Sequence, residues 1–237
     1  MATTTKTQEQ VQPQPLSNRT SNVADDNALE RVQLVYEKNK KVINGVLTAV
    51  LVIGAAIFAY FRLYLGPREE KAAAKVFYAQ QYFAADSLER ALQGDGQHPG
   101  FVKVMRDYSG TKTANVCHYY AGMCYLRMGN YKNAIKQLED FDGKGTLLAT
   151  AAAGALGSAY LESGNTKKAI DEYEKATADK EDVVQTPMYL MSLGAAYEMN
   201  KQPEEAKKAY MRIRDEFPMS TQARDIDRYL ARLGVID

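Results

Sequence analysis

Three glycines sit inside stretches that otherwise read as helix, and their settings match. Gly122, Gly157 and Gly194 are each followed three residues later by a tyrosine: Tyr125, Tyr160 and Tyr197. Each is followed twelve residues later by an alanine, Ala134, Ala169 and Ala206, and four residues further on by a large residue, Leu138, Tyr173 and Tyr210. The unit G-x2-Y-x8-A-x3-(L/Y) thus occurs three times, at intervals of 35 and 37 residues. Such a period signals stacked helix pairs, because one pair cannot bury its apolar face alone. A mid-helix glycine gives up roughly 1 kcal/mol of propensity relative to alanine, so it needs a packing reason. Two antiparallel helices approach closely where small residues face each other. Glycine on the first helix and alanine on the second allow this, with the tyrosine and the Leu/Tyr position filling the space beside them. Gly129 differs: it falls where a helix must stop, a place where glycine tolerates positive φ.

"ALGSAYLESGNTKKAIDEYEKA" (Ala155 to Ala176) and "SLGAAYEMNKQPEEAKKAYMRIRDEFP" (Ser192 to Pro218) carry a fuller pattern. A small or Leu-Gly pair precedes Tyr, then Ala, an aromatic, another Ala and, in the second stretch, a closing proline. This resembles the tetratricopeptide repeat (TPR). The resemblance implies an all-α, TPR-like α-solenoid of about three to four helix pairs. In it Gly122, Tyr125, Ala134, Gly157, Tyr160, Ala169, Gly194, Tyr197, Ala206 and Pro218 are packing positions. It also implies a concave groove for a protein partner, lined by the first helix of each repeat. Those residues are Val116, Tyr119, Met123 and Leu126, then Ala151, Gly154, Ser158 and Leu161, then Met188, Met191, Ala195 and Glu198, with Met199 beside them. The surface is apolar and methionine-rich, and methionine adapts to varied apolar segments. The same residues could instead pack against the preceding helices, Arg68 to Gln93.

Upstream of the repeats, residues 1–26 are a Thr/Gln/Ser/Asn/Pro-rich tail with few apolar side chains, a composition that does not repay the entropy of ordering. Asn27 and Glu30 have the spacing of a capping box, so a juxtamembrane and transmembrane helix is expected over 27–66. Within it, Val42 to Phe61 is an uncharged run whose one strongly polar residue is Asn44. About 20 apolar residues span a bilayer core, and Tyr60, Phe61 and Tyr64 supply interfacial aromatics. A cleaved signal peptide fits poorly, because the run is too long and lies far from the N-terminus. A buried soluble helix is the other alternative. Arg31, Lys38, Lys40 and Lys41 on one side balance Arg62, Arg68, Lys71 and Lys75 on the other. Charge therefore leaves the orientation open, with the Lys-Asn-Lys-Lys cluster leaning toward a cytoplasmic N-terminus.

Residues 67–111 read as an atypical first helix pair that turns near Ala85-Asp86, followed by a breaker-rich loop, "GDGQHPGF". Three repeats are expected over 112–220. A C-terminal capping helix is expected over 221–237, with Ala223, Ile226, Tyr229, Leu230 and Leu233 on one face. Terminal units of a solenoid need such a cap.

No constellation for catalysis, cofactor or metal is expected. The two histidines, His98 and His118, have no zinc-spaced partners, and no phosphate loop or nucleophile elbow occurs. Glu69-Glu70 and Asp140-Phe141-Asp142 read as solvated charge. Asp95 alone lacks the oxygen count of a calcium site. With 30 basic and 29 acidic residues, the chain has no large basic field for nucleic acid. Cys117 and Cys124 lie two helical turns apart, about 10 Å, too far for a disulfide. They read as core packers.

A short polar tail, one span entered through "VYEKNKKVINGVL" and a C-terminal TPR domain together resemble the YfgM family. "ALQGDGQHPGFVKVMRDYSGTKTANVCHYYAGMCYL" is similar to its Bacteroidota members. The resemblance implies a single-pass inner-membrane protein with a cytoplasmic N-terminus and a periplasmic TPR domain. Its implied partners are the SecYEG translocon, a membrane-anchored periplasmic chaperone and exported client chains. The implied role is a non-enzymatic accessory factor in protein export. A scaffold subunit of another envelope machine, such as a secretion or motility complex, is the alternative.

Overall fold

The computed structural model describes residues 17–179 and 182–235, with the side chains of Leu34 and of residues from Tyr36 onward. The expected disordered tail falls partly on residues 1–16, which lie outside the described residues. The chain divides into two compact units, with the boundary between Phe61 and Arg62.

The N-terminal unit contains one long helix, α1, Ser17–Ala59. It starts well before Asn27, which is therefore helix interior and not a cap, and the expected tail shrinks accordingly. Once a helix is nucleated, each further residue adds a hydrogen bond, so the apolar segment carries its polar flank into helix. The apolar stretch is not the core of a soluble fold. Leu51 is 72% and Phe58 71% exposed, and the helix Tyr36–Ala84 contains a window apolar enough to cross a membrane. Length and composition thus make α1 a candidate span.

A π-helical turn, Tyr60–Leu65, follows, and α2 runs Gly66–Ala84. The helical path thus continues through Gly66-Pro67. Pro67 has no N–H, and its ring crowds the carbonyl four residues earlier, at Leu63; widening to a π turn relieves both conflicts. Pro67 then sits in the first turn of α2, where a missing donor costs little.

In the second unit α2 ends at a turn in which Asp86 adopts φ +56°. Short helices α3 (Leu88–Gln93) and α4 (Phe101–Asp107) follow. Three helix pairs come next: α5 (Lys112–Arg127) with α6 (Tyr131–Asp140), α7 (Ala149–Glu162) with α8 (Thr166–Ala176), and α9 (Gln185–Met199) with α10 (Pro203–Glu216). In the first two pairs the second helix packs both on its own first helix and on the first helix of the next pair, and α10 packs on α9 and on the C-terminal helix. That expected C-terminal helix begins as a 3₁₀ turn, Gln222–Asp225, and becomes α11, Ile226–Arg232. Ile226 and Leu230 are buried and close the apolar end of the stack. The described residues contain an isolated bridge, Gly94 to Pro99, and no strand. The fold is an all-α, TPR-like solenoid.

The helical glycines face the large side chains more closely than the alanines. A Cβ on Gly122 would lie 2.6 Å from Leu138 Cγ, on Gly157 2.8 Å from Tyr173 Cδ1, and on Gly194 2.2 Å from Tyr210 Cε1. Ala134, Ala169 and Ala206 are completely buried one turn earlier on the second helix. In each pair, then, the large side chain lies directly on the backbone of the first helix. Pro218, by contrast, is exposed; it follows the end of α10, and the buried residue is its neighbour Phe217. Proline acts here by denying the helix a donor, not by packing.

The turns inside the pairs repeat as well. Gly129 (φ +73°) and Gly164 (φ +84°) end α5 and α7. Asn130 and Asn165 then cap the next helices by accepting from the amides of Asn133 and Lys168. In the third pair the left-handed position is held by Lys201, φ +60°, where a Cβ is penalised.

Two substitutions test this reading on residues 62–237, measured by chemical denaturation. Gly157→Leu drives a side chain into the Tyr173 ring and is expected to cost ~1–3 kcal/mol or more. Lys201→Gly removes left-handed strain and is expected to stabilise by up to ~1 kcal/mol. Wild-type stability for Gly157→Leu would show that close approach is not why glycine stands there.

Candidate functional site

The first helices α5, α7 and α9 form one side of the repeat stack. Tyr119, Met123, Leu126, Leu161 and Met191 are half-buried and pack against the core of the later repeats; Val116 and Ala151 are also half-buried. Three residues expected in the groove are committed elsewhere. Gly154 lies under the Tyr189 ring, where a Cβ would come 2.0 Å from a ring carbon. The Ser158 hydroxyl is 3.0 Å from both the Gly154 carbonyl and the Tyr173 hydroxyl. Glu198 accepts from the Tyr210 hydroxyl at 2.7 Å and from Arg232 at 2.7 and 2.9 Å, so it ties the C-terminal cap down. The exposed residues of α9 form a narrower stripe: Met188, Ala195 and Met199, the two methionines 42% and 62% exposed. Among the described residues, helices α2 and α3 pack against α4 and α5 and make no contact with α7 or α9. They therefore do not cover this stripe.

Successive repeats are joined by a pairing that the sequence reading missed. Tyr160 on α7 donates to Glu139 on α6, and Tyr197 on α9 donates to Glu174 on α8. Each glutamate directly follows the large residue that covers a glycine, Leu138 or Tyr173. The dipeptides Leu138-Glu139 and Tyr173-Glu174, with a tyrosine 21 and 23 residues on, were the available signal. Lys168 also donates to the Tyr160 hydroxyl, at 3.1 Å. Among the described residues Tyr125 has no earlier repeat to pair with, and it packs instead against both cores of the unit.

Glu69, expected to be solvated, is also engaged. Its carboxylate accepts from the amides of Lys112 and Thr113 at 2.6 and 2.9 Å and from the Thr113 hydroxyl at 2.5 Å. An anion at a helix N-terminus satisfies orphan amides and complements the dipole, so α2 caps α5. Beside it Arg68 donates to the carbonyls of Asp107 and Ser109 at 3.0 and 3.4 Å.

The residues weighed for chemistry are internally satisfied. Asp95 accepts from the Tyr82 hydroxyl at 2.6 Å and from the amides of His98 and Gln97 at 2.6 and 2.9 Å, bonds that hold its carboxyl well below the usual range. His98 stacks on Tyr78, and His118 pairs with Gln137 at 2.9 Å. Cys117 and Cys124 are fully buried, and burial pushes both thiols up to about 12. Among the described residues, no group of three or more His, Cys, Asp or Glu could hold a metal ion.

A tetratricopeptide repeat family model matches residues 119–183 and, overlapping, 154–221. The helix pairs within residues 119–221 are thus TPR-like repeats. Among solved structures, the chain is similar to the nearly identical TPR-like repeats of a Podosopora anserina protein described as a kinesin light chain. That similarity has a TM-score of 0.53 and 16% identity and covers 70% of this chain and 85% of that one. A second structure of those repeats gives the same score and identity, covering 70% and 86%. At this identity the likeness concerns the fold. No curated protein matches the chain.

The buried phenols and thiols give the repeat unit a pH limit. Burial pushes Tyr189 up to about 12, and burial also raises Tyr173. Below pH ~10, the ordinary phenol value, folded and unfolded chains both hold these protons. Between ~10 and about 12 the unfolded chain gives them up first, so stability falls as pH rises. Melting temperature is expected to fall from pH ~8.5, where the unfolded Cys117 and Cys124 thiols begin to ionise, and to fall more steeply above ~10 as the phenols follow. Tyr189→Phe should make that fall shallower; an unchanged slope would show that Tyr189 is not its source.

Proposed function

We propose that this chain is a non-enzymatic, membrane-anchored adaptor that uses the first-helix side of its repeats to hold apolar segments of protein partners. The exposed Met188–Ala195–Met199 stripe on α9 carries this reading. Two exposed methionines on a TPR helix cost hydrophobic hydration without serving the core, and their flexible thioethers adapt to varied apolar side chains. The apolar length of α1 supports an anchor.

The specific role follows from the resemblance to the YfgM family. In that role the anchor places the TPR unit on the periplasmic side of the inner membrane, beside the SecYEG translocon. There it passes newly exported segments to a membrane-anchored chaperone. A scaffold subunit in another envelope machine would use the same surface for one fixed partner.

The test is a double substitution, Met188→Glu with Met199→Glu, in the full chain. Both side chains are exposed, so circular dichroism should stay unchanged, while in-cell crosslinking from a photoreactive residue at Ala195 should drop at least ~10-fold, equivalent to about 1.4 kcal/mol. Crosslinks to many exported chains support the export role, and one recurrent partner supports the scaffold. A folded double variant that crosslinks like wild type would move recognition off this stripe.

A further inference from the structure

Hydrogen bonds identify one edge of the repeat unit, where the loops between successive repeats gather. Glu69 and Arg68 tie the start of α2 to the α4–α5 loop and the first turn of α5. Asn115, also near the start of α5, exchanges two 2.8 Å bonds with Asp142 in the α6–α7 loop. Arg212, toward the end of α10, donates to the Thr177 carbonyl at the start of the α8–α9 loop. The up-and-down path of the helices therefore brings residues 107–112, 141–148, 177–179, 182–184 and 217–221 to the same edge as the N-terminus of α2.

This edge carries four strongly exposed apolar residues. Leu147 and Met219 are each 98% exposed, and Val183 and Val184 are 67% and 73% exposed. The loops are built to present them. The Asp182 carboxylate accepts from the amides of Val184 and Gln185 at 3.0 and 2.7 Å, while Val183 and Val184 stay exposed. Asp142 likewise accepts from the Lys144 amide at 3.1 Å, and Thr146 donates to the Gly143 carbonyl at 2.8 Å, just before Leu147. The turns of the opposite edge use Gly129-Asn130, Gly164-Asn165 and Lys201-Gln202, and its large exposed apolar residues are Met128, at 46%, and Met199.

We propose that the inter-repeat edge docks on the lipid surface, with Leu147, Val183, Val184 and Met219 at the headgroup–acyl boundary. The proposal rests on the reading of Val42 to Phe61 as a membrane span. The occupant follows from chain length. Glu69, which is bonded into this edge, lies only eight residue steps beyond Phe61, the end of the apolar run. At helical rise they cover about 12 Å, so the edge cannot stand far from the bilayer that the chain has just left. Leu63 and Tyr64, 76% and 53% exposed, lie within that tether. Aliphatic and aromatic side chains at this depth gain from burial without needing a basic surface. The formal net charge of only +1 agrees with an attachment that does not depend on anionic lipid.

The test uses the full chain in liposomes of phosphatidylcholine, with and without phosphatidylglycerol. Single cysteines at Leu147, Val184, Met219, Ser163 and Val50 carry nitroxide labels; Cys117 and Cys124 are buried and do not compete. The readout is collision with oxygen, which concentrates in lipid, against a water-soluble nickel chelate. Labels at 147, 184 and 219 are expected to favour oxygen in both lipid mixtures, while 163 favours the chelate. Leu147→Asp, Val184→Asp and Met219→Asp together should return a label at Lys144 to water with circular dichroism unchanged. If the three edge labels stay as aqueous as 163 while the label at 50 is in lipid, the docking proposal falls and the span reading survives. An aqueous label at 50 overturns both. Spin–spin broadening at the edge labels without oxygen contact would show pairing between copies and would also overturn it.

Discussion

The repeat unit depends on a side chain lying flat against bare backbone. Leu138, Tyr173 and Tyr210 each cover a glycine on the partner helix, at distances no Cβ could tolerate without movement. This contact sets the spacing within each pair. The buried alanines one turn earlier follow from it, because helices held that close leave no room for a longer residue at the neighbouring crossing. Close-packed interiors transmit such constraints. Tyr173 and Tyr210 also fix what surrounds them: their hydroxyls emerge at Ser158 and Glu198, so one ring serves both the core and a polar network at its margin.

The same residues lead to the coupling between pairs. Glu139 and Glu174 directly follow the covering residues 138 and 173, and each receives the hydroxyl of the next repeat's tyrosine. A repeat array is stabilised by nearest-neighbour terms; here the term joins a directional hydrogen bond to apolar contact. At the C-terminus the pattern is replaced. Met211 follows Tyr210, and Glu198 with Arg232 secures the cap. At the N-terminus Tyr125 has only packing, and α2 is held instead by the Glu69 carboxylate.

Much of the fold was legible because a glycine inside a helix is costly enough to need a cause, and the same cause recurred at a fixed period. The turns were legible for a similar reason, since positive φ selects glycine. The candidate surface was less legible. Positions carried over from an ideal repeat assume that each first helix has identical neighbours, but α9 is the last one. Arg232 from the cap captures Glu198, the Tyr189 ring occupies the space left by Gly154, and Met191 turns toward the core. The start of α1 was misplaced because Asn27 has the chemistry of a cap without being at an end. Local capping signals compete with propagation of an existing helix, and no nearby residue records which wins. Glu69 was read as solvated because its partners lie more than forty residues away in the chain.

The Glu69 attachment has a mechanical consequence. The chain enters the repeat unit only a few residues before this carboxylate, so tension applied through the N-terminal helix reaches the unit first at the amides of Lys112 and Thr113. Those two bonds clip α2 to α5, and the Arg68 contacts clip it to the end of α4 and the loop that follows. A pull along α2 loads them together, whereas a pull that peels α2 away loads them one after another. The domain should therefore bear a load along that helix better than across it. The first region to yield under a peeling load would be the atypical leading helices, with the TPR-like repeats still stacked behind them.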